Sequence, residues 1–224
     1  MYRVEDKYCC SMQEMYQMQR RLDMVLRADS NEKNMEGYSV ISLYFDDIED
    51  TCLTDTQEGI NERLKYRIRI YNHSLNTIKL EVKEKKNNRV LKKSKCITEE
   101  EMKKLMCGQC IEDYSKPEDP AFLFNLAIRT KGLRPKVIVA YERKAYVYDS
   151  GSVRITFDRN VRTSRETDAF GTQEACYDFL KGQDAVLEIK YDEFIPQFIL
   201  QLLEANWMQQ TAYSKYQLCR ERYE

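Results

Sequence analysis

The chain has 224 residues, with 36 Lys and Arg, 37 Asp and Glu, one His and a net charge of −1. That length fits one large domain spanning 1–224, 42% hydrophobic residues supply a core, and seven Gly with four Pro exclude a collagen-like or low-complexity chain. Apolar runs such as Val137 to Ala140 are too short to span a bilayer, and the charged start MYRVEDKY does not read as a signal peptide, so a cytoplasmic chain with no membrane segment of its own is expected.

In chain order, residues 2–9 alternate as a strand with Arg3, Glu5 and Lys7 on one face. Ser11 and Glu14 form a capping box that opens a helix, with Met15, Met18, Leu22, Val25 and Leu26 as its apolar stripe. Strands follow at 38–46, 64–71, 78–85 and 89–97, the last two joined by a short Lys-Asn-Asn link that reads as a hairpin. Thr98 and Glu101 form a second capping box, opening a helix to about Cys107, and a further helix is expected over 120–129. Strands at 136–148 and 152–158 flank the turn Asp149-Ser150-Gly151, and an eighth covers 185–192. Pro196 starts a helix through Trp207, and the tail from Ser214 reads as a short helix.

Eight Cys in a chain without an export signal read as reduced thiols. Cys107 and Cys110 make a single CxxC with no second pair at zinc spacing, and the lone His73 offers no catalytic triad. The small net charge hides an asymmetry: residues 61–95 carry 12 basic side chains against Glu62, Glu81 and Glu84, a net of +9, so the rest of the chain carries −10. Such a segment suggests a focused anion site, or a solvated charged face. The fingerprints of helix-turn-helix, RRM and zinc-finger modules are missing, so no nucleic-acid partner is expected.

Period-2 counting sharpens the first option. Lys65, Arg67 and Arg69 share one strand face, Lys79, Glu81, Lys83 and Lys85 the next, Arg154, Thr156 and Asp158 another, and Glu188, Lys190 and Asp192 the last. The opposite faces are apolar. About eight strands suffice to close a barrel, and amphipathic helices packed outside would take the apolar faces. The expected fold is therefore α+β, an eight-stranded antiparallel barrel with a charged interior. Unpaired cations are too costly to bury, so such a tunnel needs carboxylates or a bound anion, and phosphate suits Arg and Lys.

These residues resemble the VTC domain of vacuolar transporter chaperone proteins, in the triphosphate tunnel metalloenzyme superfamily. The resemblance covers nearly the whole chain and rests on Arg3-x-Glu5-x-Lys7-Tyr8, SLYFD at 42–46, Arg67-x-Arg69, Lys79-Leu80-Glu81-Val82-Lys83, Tyr141-x-Arg143, Arg154-x-Thr156-x-Asp158, Glu188-x-Lys190 and Ser214-Lys215-Tyr216. It implies a tunnel that binds triphosphate or polyphosphate with a divalent metal, Mn or Mg, and in VTC members polymerises polyphosphate from the terminal phosphate of ATP. A membrane-protein partner is a further implication. The related hydrolase branch opens with Glu-x-Glu-x-Lys, whereas position 3 here is Arg, which favours the VTC branch.

On that resemblance Arg67, Arg69, Lys83, Arg143 and Arg154 contact phosphates, and Lys7 and Lys215 bracket the transferring group or the growing chain. Lys65, Lys79, Lys95 and Lys190 are further substrate contacts. Tyr44 and Tyr141, with Tyr8, either stack a nucleobase at the tunnel mouth or serve the core. Glu188 is the first metal ligand; Glu5 and Glu81 are either metal ligands or counter-ions to neighbouring cations. Lys85, Lys86, Lys92 and Lys93 are expected on the exposed hairpin. Three functions stay open: an ATP-dependent polymerase, a triphosphate hydrolase, and a non-catalytic binder of polyphosphate or inositol phosphates.

Overall fold

Alternation of charged and apolar residues becomes, in the computed structural model, a ring of strands with two unlike faces. The structure describes residues 3–29, 37–87, 89–112, 116–172, 174–180, 185–204 and 208–223. The strands are β1 (Arg3–Cys10), β2 (Arg27–Ala28), β3 (Tyr38–Asp46), β4 (Glu62–Tyr71), β5 (Ser74–Lys86), β6 (Arg89–Ile97), β7 (Arg134–Tyr148), β8 (Val153–Ser164), β9 (Asp178–Phe179) and β10 (Ala185–Tyr191). The helices are α1 (Met12–Asp23), α2 (Thr51–Gln57), α3 (Glu99–Met106), α4 (Pro120–Lys131), α5 (Gln197–Leu203) and α6 (Lys215–Glu221).

Hydrogen bonding runs β7-β3-β4-β5-β6-β1-β10-β8, and β8 pairs back onto β7, so eight strands close a ring. Every pairing is antiparallel. Closure removes the free sheet edges that would otherwise template aggregation. The short strands β2 and β9 add to β7 and β8. Among the described residues the thinnest seam lies between β6 and β1, where Arg3–Val90 and Val4–Arg89 pair.

Register sorts the side chains. Glu5 faces Lys190 and Lys7 faces Glu188 across β1 and β10, while Arg67 faces Glu81 and Lys65 faces Lys83 across β4 and β5. These residues line the bore. The intervening apolar residues point outward and are covered by helices. Met15, Met18 and Leu22 of α1 and Ile199 and Leu203 of α5 pack with Ile155, Phe157, Leu187 and Ile189. Met102 and Leu105 of α3 and Phe124 and Ile128 of α4 join a larger core with Ile68, Leu80 and Val82. Both capping boxes form, at Ser11–Glu14 and Thr98–Glu101.

Several expectations change. β8 runs on to Ser164 rather than stopping at 158, and β5 spans 74–86, because both continue hydrogen bonding beyond their alternating segments. Helix α2 had no sequence signal; Asp46 nucleates it by accepting the backbone N–H groups of Cys52 and Leu53. Val25 lies past the end of α1 and is exposed instead of completing its stripe. Tyr8 sits on the outer face of β1, packed against the α1 and α5 core. Helix α5 ends at Leu203; the expected end at Trp207 lies outside the described residues.

Candidate functional site

The bore is built from charged side chains that the ring forces to face one another. On one side Glu81 is fully buried between two arginines. Arg67 donates to its Oε2 at 2.8 Å through Nε and lies 2.7 Å away through Nη2; Arg69 approaches the same oxygen at 3.8 Å. Lys92 reaches Oε1 at 3.1 Å. Lys92 is exposed, as the sequence suggested, with 48% of its side chain accessible, but it pairs with Lys83 across β5 and β6 and so lies on the inner face, where its ammonium reaches Glu81. Burial opposes the charge on Glu81, but Arg67, Arg69 and Lys92 outweigh it and hold the carboxyl well below its usual range.

A second cluster forms where β7, β8 and the start of α6 meet. Arg143 grips Asp158 with two hydrogen bonds, 2.6 and 2.7 Å, a bidentate fork. Lys215 reaches the same carboxylate at 2.6 Å. Asp158 has no exposure, yet Arg143 and Lys215 override burial and hold it at about 2. Gly37 lets the chain enter β3 close against β7: at φ +94° a Cβ there would lie 2.2 Å from the Arg143 carbonyl oxygen.

The third cluster is dominated by lysines. Lys83 donates to Glu5 at 2.6 Å, and Lys190 lies 3.4 Å from Glu5 and 3.4 Å from Glu188. Lys7 is 3.8 Å from Glu188 and donates to the Tyr213 carbonyl at 2.9 Å. Lys65 donates at 2.8 Å to the Ser214 hydroxyl, a neutral group. Burial, then Lys7, Lys83 and Arg63, depress the Lys65 ammonium well below its ordinary value. Burial likewise pulls Lys83 down to about 8; Glu5 opposes the fall and Lys7 adds to it. Like charges set directly across a strand pair repel, so this wall is poised to take an anion.

The remaining predicted residues divide. Arg154 lies on the inner face and bonds Asp29 and the Tyr38 hydroxyl, with its Nε buried and unpaired. Lys79 also points inward, over the Tyr71 ring at 5.5 Å. Lys95 does not join the site: it pairs with Leu80 on the outer face and lies 3.5 Å from Asp119, the cap of α4. Tyr44 stacks on Tyr216 with centroids 5.1 Å apart and accepts from Arg67 at 2.9 Å. Tyr141 lies beneath Lys215 and Arg143, at 4.9 and 5.2 Å, and its hydroxyl accepts from Arg69. Both tyrosines are buried and orient cations of the bore.

Sequence reasoning did not single out Asp158, Asp29, Tyr213 or Ser214 as members of the site. Asp158 was visible on the inner face of its strand. Ser214 stood in the Ser214-Lys215-Tyr216 motif without a role of its own, and Asp29 and Tyr213 gave no signal, because each meets its partner across a long sequence separation. Residues 213–216 touch Lys7, Lys65, Asp158 and Asp46.

Among the described residues, no three His, Cys, Asp or Glu side chains gather as a metal cage. Glu81 has both oxygens committed to cations. Glu5 and Glu188 are different: one oxygen of each faces the shared ammonium of Lys190, with Arg143 also 3.6 Å from that oxygen of Glu188. A cation thus already sits between them, and two ionised carboxylates suit Mg or Mn when phosphate oxygens supply the other ligands. Cys107 caps α3 and Cys110 points to the Asn125 carbonyl, so the CxxC forms no ligand pair. No helix of the described residues is long and apolar enough to cross a membrane.

A closed eight-stranded ring with a charged bore and helices outside is a triphosphate tunnel fold. Two solved structures share it: a proposed adenylate cyclase from Bacillus halodurans (12% identity, TM-score 0.55, 93% of this chain and 91% of the other) and a proposed adenylate cyclase from Vibrio parahaemolyticus (14%, 0.53, 97% of each). At such identities they speak for the fold alone. No curated protein matches the chain in sequence. The VTC domain model matches residues 2–223, and the chain belongs to that family.

Proposed function

We propose that the protein is a polyphosphate polymerase. The terminal phosphate of ATP passes to the end of a polyphosphate chain held in the bore: the bond from the γ-phosphorus to its bridging oxygen breaks, a chain-end oxygen bonds that phosphorus, and ADP leaves. The observation that carries this reading is the lysine wall. Lys7, Lys65 and Lys83 face one another with fewer carboxylates than cations, and the partners of Lys65 among the described residues are neutral, the Ser214 hydroxyl and the Tyr216 ring. An extended polyanion relieves that repulsion.

Phosphoryl transfer needs positioned phosphates and neutralised charge more than covalent help. Arg67, Arg69, Arg143 and Arg154 are held in place by Glu81, Asp158 and Asp29, so their remaining donors are preorganised toward the bore. Lys7, Lys65, Lys83 and Lys79 supply mobile point charges along the chain. Glu188 and Glu5 would hold a divalent cation, which would supply positive charge to offset the negative charge that develops during transfer. Arg3 supports polymerase over hydrolase. It pairs with Asp192 at 2.9 Å where the hydrolase branch has a glutamate, leaving one carboxylate fewer for metal.

The test is incubation with ATP and Mn²⁺, read by gel for long polyphosphate and in parallel for free phosphate. Polyphosphate with stoichiometric ADP is expected. Free phosphate without polymer would make the protein a hydrolase. Neither product, with tripolyphosphate still bound, would make it a non-catalytic binder.

A further inference from the structure

Among the described residues of the bore, two carboxylates converge on one monovalent cation at the Glu5–Glu188 pair. Glu5 stands directly opposite Lys190 on the paired strands β1 and β10, and Glu188 lies two residues before Lys190 on the same face. The Lys190 ammonium is 3.4 Å from Glu5 Oε1 and 3.4 Å from Glu188 Oε2. The outer oxygens are spoken for: Lys83 holds Glu5 Oε2 at 2.6 Å and Lys7 lies 3.8 Å from Glu188 Oε1. Arg143, 3.6 Å from Glu188 Oε2, is clamped on Asp158 and cannot leave. Lys190 has no such clamp. Its side chain is 23% exposed and stands across from Arg154 on β8, a like charge that pushes it outward.

We propose that Lys190 is a resident counter-cation that occupies the metal position of the Glu5–Glu188 pair, so that a divalent ion enters only after phosphate has drawn the ammonium away. The inference rests on the metal reading given above and adds an order to it: anion first, metal second. It also gives the tunnel a reason to reject free metal. Without phosphate the pair is already neutralised, and the nearby Lys7, Lys83 and Arg143 repel a dication. When a phosphate oxygen takes the Lys190 ammonium, the same movement vacates the pair and delivers an oxygen ligand beside it.

The experiment is a titration of the purified full chain with Mn²⁺ alone, followed by electron paramagnetic resonance of the free ion, with and without sulfate as a tetrahedral anion that does not titrate. Wild type should bind Mn²⁺ weakly, and sulfate should tighten it. Lys190→Met should bind Mn²⁺ alone at least about tenfold more tightly, with little further gain from sulfate. Lys190→Arg, which keeps the charge, should stay as weak as wild type. The gain should vanish in the Glu188→Gln, Lys190→Met double variant. Lys79→Met removes a bore cation that does not touch the pair. If it gives the same gain as Lys190→Met, only the general field matters and the Lys190 proposal is overturned. If no variant binds Mn²⁺ under any condition while tripolyphosphate still binds, the metal reading itself falls, and the Lys190 proposal with it.

Discussion

The arginine and lysine walls of one bore differ in how their charges are settled. Arg143 and Lys215 converge on Asp158, and Arg67 and Arg69 on Glu81; burial opposes each charge, but Asp158 holds Arg143 and Lys215 above their ordinary values, Tyr44 and then Glu81 do so for Arg67, and Tyr141 and then Glu81 for Arg69. Lys65 and Lys83 are driven the other way, with burial first among the causes. The arginine side is a finished electrostatic structure that needs nothing bound. The lysine side is unfinished, and a polyanion completes it. Both walls therefore contribute affinity, but the arginines also stabilise the empty ring, whereas the lysines cost it stability until an anion binds.

The sharpest way to break that division is to unsettle the finished side. Asp158→Asn leaves Arg143 and Lys215 buried without their counter-ion. A loss of about 3–5 kcal/mol in unfolding free energy is expected from denaturant melts. A loss below about 1 kcal/mol would show that the cluster is no more settled than the lysines. Next in size is Glu188→Gln. It keeps shape but removes the charge, so metal-dependent turnover should fall by about two orders of magnitude or more while tripolyphosphate still binds. Turnover near wild type would move the metal to Glu5.

Lys65→Met probes the unfinished side. The apo protein should be as stable as wild type or more so, because a repelling buried charge is gone. Tripolyphosphate affinity should fall by about 1.5–3 kcal/mol, the range for a charged hydrogen bond. Arg67→Ala should lower affinity similarly but also destabilise the apo protein, since Glu81 loses its nearest partner. If the two variants behave alike in both measurements, the contrast between the walls fails.

Much of this was legible before any coordinates. Period-2 counting put Arg67, Lys83, Glu188 and Asp158 on inner faces because a pleated strand offers only two sides, and the apolar side had helices to cover it. The same rule separates Lys92 from Lys95, three residues apart on one strand and on opposite faces; naming Lys95 as a substrate contact overlooked its own alternation with Leu91 and Lys93. The neutralising partners were harder. Asp29 reaches Arg154 from beside β2, and Ser214 reaches Lys65 from the tail, across sequence separations that no local pattern encodes. Helix α2 was hidden for a related reason: the carboxylate of Asp46 organises its first turn, and neither an apolar stripe nor a capping box marks it.

The smallest expected effect is also the most specific to the lysine wall. Lys83 titrates at about 8 in the folded chain and at about 10.4 when unfolded. Below pH 8 both states hold the proton, so the cost of charging Lys83 in the fold is fully present. Between about pH 8 and 10.4 the unfolded chain binds more protons than the folded one, so this residue makes stability rise with pH across that window. Asp158, held at about 2 beneath Arg143 and Lys215, is silent there; its contribution is lost only as pH falls from about 3.9 through 2. An anion in the bore favours charged Lys83, so binding near pH 8.5 should draw in a fraction of a proton. Calorimetry with sulfate in buffers of different ionisation enthalpy should show this uptake in wild type and not in Lys83→Met. Equal heats in every buffer for wild type would mean that Lys83 is already settled by Glu5, and the lysine wall would then be as finished as the arginine one.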